Sequence, residues 1–233
     1  MNLKLLDGKV VKTMALEGLK KLVNEIERPL GLTVIQVGDN ASSNIYIKQK
    51  RKMAEFLGFN FNHIKLEDDV TLEGILRIID ELNNDEEVDG ILVQMPVSEH
   101  LDSKVIQNAI NPLKDVDGLT DINMGKLVHK KECLVPCTAL GIMELLNYYN
   151  IPVISKNVVV VGRSDLVGRP VAELLINASA TVTLCHSKTK DLASITRGAD
   201  ILIVAVGKSR LITKDMVKDG AVVIDVGINK LED

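Results

Sequence analysis

The chain has 233 residues, room for one large domain or two small ones, and its 46% hydrophobic and 26% charged content is that of a globular protein. A net charge of −4 argues against a nucleic-acid binder, which carries a basic field or stripe, and three cysteines without a Cys-x-x-Cys pair argue against a disulfide framework or a zinc site and read as free thiols of a reducing cytosol. No apolar run nears the roughly 20 residues of a membrane helix, the N-terminus lacks a secretory apolar core, and three Tyr, three Phe and no Trp leave an aliphatic interior suited to a parallel sheet under helices.

The first strand signal is LTVIQVG (32–38), which ends on a glycine. A helical pattern follows over 43–57. Within it Tyr46, Lys50, Met53 and Leu57 share a stripe by i, i+4, i+7, i+11 spacing. Lysine is rarely buried, so two readings stand. Its ammonium snorkels to water, or the stripe faces a cleft where desolvation lowers the lysine pKa and makes it a proton carrier. The basic run Lys48–Lys52 reads as a solvated helix face.

A second helical pattern, 71–83, leads to DGILVQMP (89–96), where Gln94 stands at the carboxyl end of a strand that Pro96 breaks. Ligands of open α/β sheets bind at that edge. Glutamine offers both a donor and an acceptor, so Gln94 orients a lysine or a heterocycle, or is satisfied by loop backbone. The turn Lys114–Gly118, KDVDG, holds two acids, which ordinarily cap backbone N–H groups. The stretch beyond it is turn-rich and ambiguous. A domain boundary is expected near residue 120, with the helix over 138–149 joining two lobes.

Strand and helix then alternate: NVVVVG (157–162), a helix over 167–177, ATVTLCH (180–186), ADILIVAVG (199–207) and AVVIDVG (221–227). Alternation of this kind predicts an α/β fold with parallel strands, and the unbroken apolar runs predict strands buried on both faces. In GRSDLVG, Gly162 permits a tight turn and Gly168 a close backbone approach at the start of a helix, whose free N–H groups attract a pyrophosphate. The loop is longer than the G-x-G-x-x-G form. The next strand ends in His186-Ser187-Lys188, without the acid that would bind the ribose 2′-hydroxyl of NAD. A carboxylate there would repel a 2′-phosphate, whereas a hydroxyl with nearby cations accepts one. The pattern favours NADP, with Arg163 supplying a fork of donors. The plainer alternative, a solvated Arg163 and a Ser187 that starts a turn, stays open.

Together, Tyr46-x-x-x-Lys50, GILVQMP, KDVDG, PCT at 136–138, VVVGRSDLVGRP, CHS and VIDVGIN resemble the bifunctional methylenetetrahydrofolate dehydrogenase/methenyltetrahydrofolate cyclohydrolase family, in order from about residue 30 to residue 229. The resemblance implies a cytosolic homodimer with a folate-binding catalytic domain (1–120), a Rossmann-type NADP domain (121–233) and a cleft between the two α/β lobes. It implies no metal. The implied reactions are oxidation of 5,10-methylene-tetrahydrofolate with NADP to the methenyl cation and hydrolysis of that cation to 10-formyl-tetrahydrofolate. Lys50, Gln94 and Asp117 are the implied catalytic residues. Lys50 carries the proton, Gln94 holds Lys50, Asp117 grips the amino-pyrimidine face of the pterin, and Tyr46 stacks on the folate. Gly162, Arg163, Ser164, Gly168, Ser187 and Ile228 are implied to line the NADP site.

Two departures accompany the resemblance. Ala139 and Leu140 stand where the family has Pro and a basic residue, with Thr138 still expected to cap its helix. The sequence ends at Asp233, whereas the family continues into a glycine-proline-rich loop and a final helix on the folate side. The rival expectations are an NADP dehydrogenase of another small molecule, of shikimate type, and a nucleotide-binding module without activity.

Overall fold

A computed structural model describes residues 4–227. It divides into two units: Asp7–Asn123, and a second built from the described residues from Met124 onward with those before Asp7.

The first unit opens with α1 (Gly8–Val23) and continues β1 (Gly31–Val37), α2 (Ala41–Leu57), β2 (Asn60–Leu66), α3 (Leu72–Asn84), β3 (Gly90–Gln94) and α4 (Ser103–Asn108). Its strands are parallel in the order β2-β1-β3. The central strand β1 is buried on both faces, which is why LTVIQV reads as one apolar run. Ile35 and Val37 pack with Ile91, Val93 and the α3 residues Ile75, Ile79 and Leu82, while Val34 and Leu92 pack against Ile47 of α2. Helix α2 starts where the Asn40 side chain accepts from the Ser42 and Ser43 N–H groups, and it stops at Gly58, which takes φ 83°. The chain leaves β1 for β2 on one side, then crosses to β3 on the other. The carboxyl ends of β1 and β3 therefore form a switch point, the place where ligands of such sheets bind.

Helix α5 (Asp121–Val128) carries the chain from one unit into the next. There follow α6 (Cys137–Tyr148), β4 (Asn157–Val161), α7 (Gly168–Asn177), β5 (Thr181–Cys185), α8 (Leu192–Thr196), β6 (Ile201–Val204) and β7 (Val222–Asp225). The strands are parallel in the order β5-β4-β6-β7, which puts a second switch point at the end of β4. Val158, Val160, Ile201 and Ile203 pack under α6 and α7, while Val159, Val161, Leu202 and Val204 face the other layer with Cys185 and Ala199.

Several expectations need correction. Thr138 does not cap α6. The helix begins at Cys137, Pro136 is the cap residue without a side-chain bond, and its carbonyl accepts from Leu140 N at 3.0 Å. Proline's fixed φ, −52° here, suits a helix entry and moves it one residue upstream. The strand expected over 199–207 is confined to Ile201–Val204. The ambiguous stretch after KDVDG contains α5, and α1 and β2 lie where no element was expected. No helix of the described residues is long and apolar enough to cross a membrane.

Candidate active site

Helix α2 lays Ser43, Ile47 and Ala54 against the sheet, and Lys50 falls in that register, three residues after Ile47 and four before Ala54. Lys50 Nζ donates to Gln94 Oε1 at 3.0 Å, joining the helix to the carboxyl end of β3. Gln94 Nε2 donates to its neighbour's carbonyl, Met95 O, at 2.9 Å. That second bond fixes which way the amide points and leaves its oxygen for the lysine. Tyr46, Lys50, Met53 and Leu57, the stripe read from the sequence, line one cavity of about 330 Å³, together with Lys12 and Phe59. Tyr46 is 42% exposed and lines this cavity, so it is accessible to a planar ligand there.

The KDVDG loop packs beside β3. Ile91 N donates to Lys114 O at 2.7 Å, and a Cβ on Gly90 would lie 2.5 Å from the Val116 side chain, so only glycine lets the loop come this close. Its two acids have different work. Asp115 is wholly buried and accepts from Thr120 N (2.8 Å), Asn123 Nδ2 (3.0 Å) and Gln107 Nε2 (3.1 Å). Three donors on one carboxylate clamp the loop. Asp117, half-buried, is the acid left to a ligand. Burial pushes its carboxyl above the ordinary value; the Lys50 charge pulls it back down, and Asp115 pushes it up. Asp117 and Lys50 are thus within electrostatic reach of each other, at the edge where Gln94 stands.

In the second unit the loop between β4 and α7 lies tight on the strand ends. A Cβ on Gly162, which takes φ 117°, would be 2.3 Å from Ala205 O, and one on Gly168 would be 2.0 Å from Gly162 O. Neither position has room for a side chain, so the loop, the strand ends and the head of α7 pack backbone to backbone, which fixes where the free N–H groups of the helix start stand. Ser164 Oγ accepts from Val167 N at 3.3 Å, shaping the turn ahead of the helix. Arg163 is exposed. Gly162 N donates to Cys185 O at 2.9 Å, so the loops after β4 and β5 leave the sheet side by side. In the β5 loop His186 N donates to Thr189 Oγ1 (2.8 Å) and Lys188 N to His186 Nδ1 (3.1 Å), a small turn that carries Ser187 and Lys188 exposed at its tip. A serine hydroxyl and the cations Lys188 and Arg163 fit a 2′-phosphate. Ile228 lies outside the described residues.

Sequence reasoning passed over two residues of the first unit. In the sequence Asp115 is one more turn acid beside Asp117, with nothing to mark it as buried. Gln36, wholly buried in β1, bonds to three residues, and its only signal was a polar side chain inside an apolar strand.

With this geometry in place, comparison with known proteins is specific. Residues 6–117 match the family profile described as tetrahydrofolate dehydrogenase/cyclohydrolase, catalytic domain, and residues 136–233 match the NAD(P)-binding domain of the same description. The bifunctional protein FolD of Bacillus subtilis is 45% identical over 235 residues, covering 100% of this chain and 83% of that protein. A crystal structure of the bifunctional FolD dehydrogenase/cyclohydrolase from Campylobacter jejuni superposes with TM-score 0.96 at 44% identity, covering 98% of this chain and 83% of that one. The Trypanosoma brucei enzyme, solved with NADP cofactor and an inhibitor, superposes with TM-score 0.89 at 38% identity, covering 97% of this chain and 78% of that one.

Proposed function

The chain belongs to the tetrahydrofolate dehydrogenase/cyclohydrolase family, and from that premise we propose how its residues divide the work. It is a bifunctional enzyme: it oxidises 5,10-methylene-tetrahydrofolate with NADP and hydrolyses the resulting methenyl cation to 10-formyl-tetrahydrofolate. In our reading the first domain (1–120) holds the folate and the second (121–233) holds NADP.

The observation that carries the role assignment is the Lys50–Gln94 bond of 3.0 Å at the carboxyl edge of the first sheet. Tyr46 stacks on the folate, and Asp117 accepts from the amino-pyrimidine edge of the pterin, which is rich in donors. Both groups fix the one-carbon bridge over the lysine. NADP, when bound, takes the hydride; no nucleophile is required from the protein for that step, only positioning of the two reactants in contact. Gly162 and Gly168 let backbone donors approach the pyrophosphate, Ser164 shapes that loop, and Arg163 and Ser187 hold the 2′-phosphate. We assign Ile228 to the same site from the resemblance alone.

Hydrolysis falls to Lys50. Water adds to the methenyl carbon and gives up a proton to the neutral amine. The carbon–N5 bond then breaks: the new hydroxyl loses its proton to solvent as it becomes the formyl oxygen, N5 takes a proton back from the ammonium, and the formyl group stays on N10. One proton is released overall, as the loss of the cation's charge requires. Gln94 holds the amine by an oxygen that accepts from either protonation state of Lys50. This stabilises the ammonium more than the amine, but it also keeps the nitrogen aimed between proton transfers.

We further propose that the protein works as a cytosolic homodimer. The family resemblance supports the dimer. A sedimentation mass of one chain would contradict it. For the activity the experiment is spectrophotometric. The full chain, given methylene-tetrahydrofolate and NADP, produces methenyl absorbance that then decays by hydrolysis, and NAD at matched concentration supports turnover about tenfold slower or worse. Equal turnover with NAD would remove Arg163 and Ser187 from their assigned roles.

A further inference from the structure

Beside the lysine tether runs a second one that the proposed mechanism does not use. Gln36 on β1 is wholly buried. It is the register partner of Gln94 on β3, so two glutamines stand side by side at the carboxyl edge of the sheet. Gln94 bonds to Lys50 of α2 and Gln36 bonds to Asn44 of the same helix, Nε2 to Oδ1 at 2.8 Å. The Gln36 amide nitrogen also donates to Gly38 O at 3.1 Å, so its oxygen is the acceptor. His63 of β2 meets that oxygen through Nε2 at 2.9 Å and must carry its hydrogen there. From Asn44 the chain of bonds continues to Asp39 Oδ1 at 2.8 Å, which also takes Lys65 Nζ of β2 at 2.8 Å.

The consequence is geometric. Asn44 and Lys50 are six residues apart, about 9 Å along the helix and about 120° around it. Apolar packing of Ile47 against Val34 and Leu92 seats α2 on the sheet but is not directional; two hydrogen bonds at different heights and azimuths set its rotation and register more narrowly than one. Asn40 caps the helix start, and Ser43 Oγ reaches Met95 O at 3.4 Å, so the rigid end is the one before Lys50. We propose that Gln36 is a positioning residue for the cyclohydrolase reaction, setting the rotation of α2 through Asn44 so that the Lys50 amine meets the Gln94 oxygen. His63 holds Gln36 from behind. Burial first, then the Arg51 and Lys65 charges, push the His63 pKa below 6.5, so near neutrality it is the neutral imidazole with its hydrogen on Nε2.

The inference rests on the catalytic reading of Lys50, and the experiment separates the two. Gln36→Met keeps the length and removes the amide; Asn44→Ala, at an exposed position, cuts the same tether with less risk to the core. Both are assayed for hydrolysis of methenyl-tetrahydrofolate across pH, beside Lys50→Met, with NADP affinity and melting temperature as controls. We expect kcat to fall about tenfold in Gln36→Met and about threefold in Asn44→Ala, with NADP affinity unchanged. We also expect the rising limb of the pH profile to move to lower pH. A lysine that has lost its acceptor loses a stabiliser of its ammonium form, with the Asp117 charge still facing it. A structural lesion alone would lower activity and leave that limb in place. Wild-type kcat and an unmoved limb in a folded Gln36→Met overturn the proposal, as does lost activity without the limb shift. Should Gln36→Met fail to fold, Asn44→Ala decides by the same two readouts. Hydrolysis that survives Lys50→Met would overturn the catalytic reading itself.

Discussion

Gly168→Ala tests the nucleotide loop by adding a single methyl. The new Cβ would sit 2.0 Å from Gly162 O, 2.5 Å from Gly162 C and 2.9 Å from Arg163 N. All three are backbone atoms, so no side chain can swing away. Reaching ordinary contact near 3.4 Å needs a displacement of about 1.4 Å between the loop and the head of α7. Gly162 in turn lies close to the end of β6, where an added Cβ would be 2.3 Å from Ala205 O, so the loop has little slack on that side. If the loop holds the pyrophosphate as proposed, a shift of that size would break about two backbone bonds to it, each worth about 1.5–3 kcal/mol because the acceptor is charged. The Kd for NADP should rise about 100-fold or more by calorimetry, with about 1–3 kcal/mol lost in stability to overpacking. Hydrolysis of added methenyl-tetrahydrofolate needs no nucleotide and should continue, which distinguishes a local lesion from unfolding. An NADP Kd within about twofold of wild type would refute the placement of the pyrophosphate on this loop.

Three further outcomes are expected. Arg163→Ala should raise the KM for NADP about tenfold and leave turnover with NAD nearly unchanged, since only the 2′-phosphate loses a partner; equal losses for both nucleotides would contradict it. Asp115→Ala strips the acceptor from three buried donors and should cost about 3 kcal/mol in chemical denaturation, with a loss under about 1 kcal/mol counting against the clamp. Asp117 has a raised pKa in the fold, so its favourable contribution is full below the ordinary 3.8 and is lost as pH rises through the folded value. Asp117→Asn should therefore match wild type in stability at acid pH and exceed it near neutrality while folate binding weakens; a constant difference across pH would show that the carboxyl carries no such penalty.

How much of this could be read beforehand follows from burial. The β-branched runs of β1, β3, β4 and β6 were visible because these strands are covered on both faces, and continuous apolar sequence has few other uses. Strand β2, NFNHIKL, was invisible because it is an edge strand whose exposed positions carry Asn, Lys and Asn between half-buried ones. Helix α1 was passed over for a related reason: it buries no residue, so its apolar positions mark no core face. The stripe through Tyr46 and Lys50 was legible because helical periodicity reports which side chains share a face. What each side chain touches lies beyond periodicity. Asp115 and Asp117 are two residues apart in one turn, yet only the fold shows that the first is buried under three donors. Gln36 looked like an interruption in a strand until its partners were seen on α2 and β2.

The role of Lys50 is tested by following the decay of methenyl-tetrahydrofolate absorbance with Lys50→Met. Enzymatic hydrolysis should be lost while NADP still binds with wild-type affinity, since the nucleotide loop and Lys50 belong to different units. Hydrolysis at the wild-type rate in that variant would show that the proton moves through some other group.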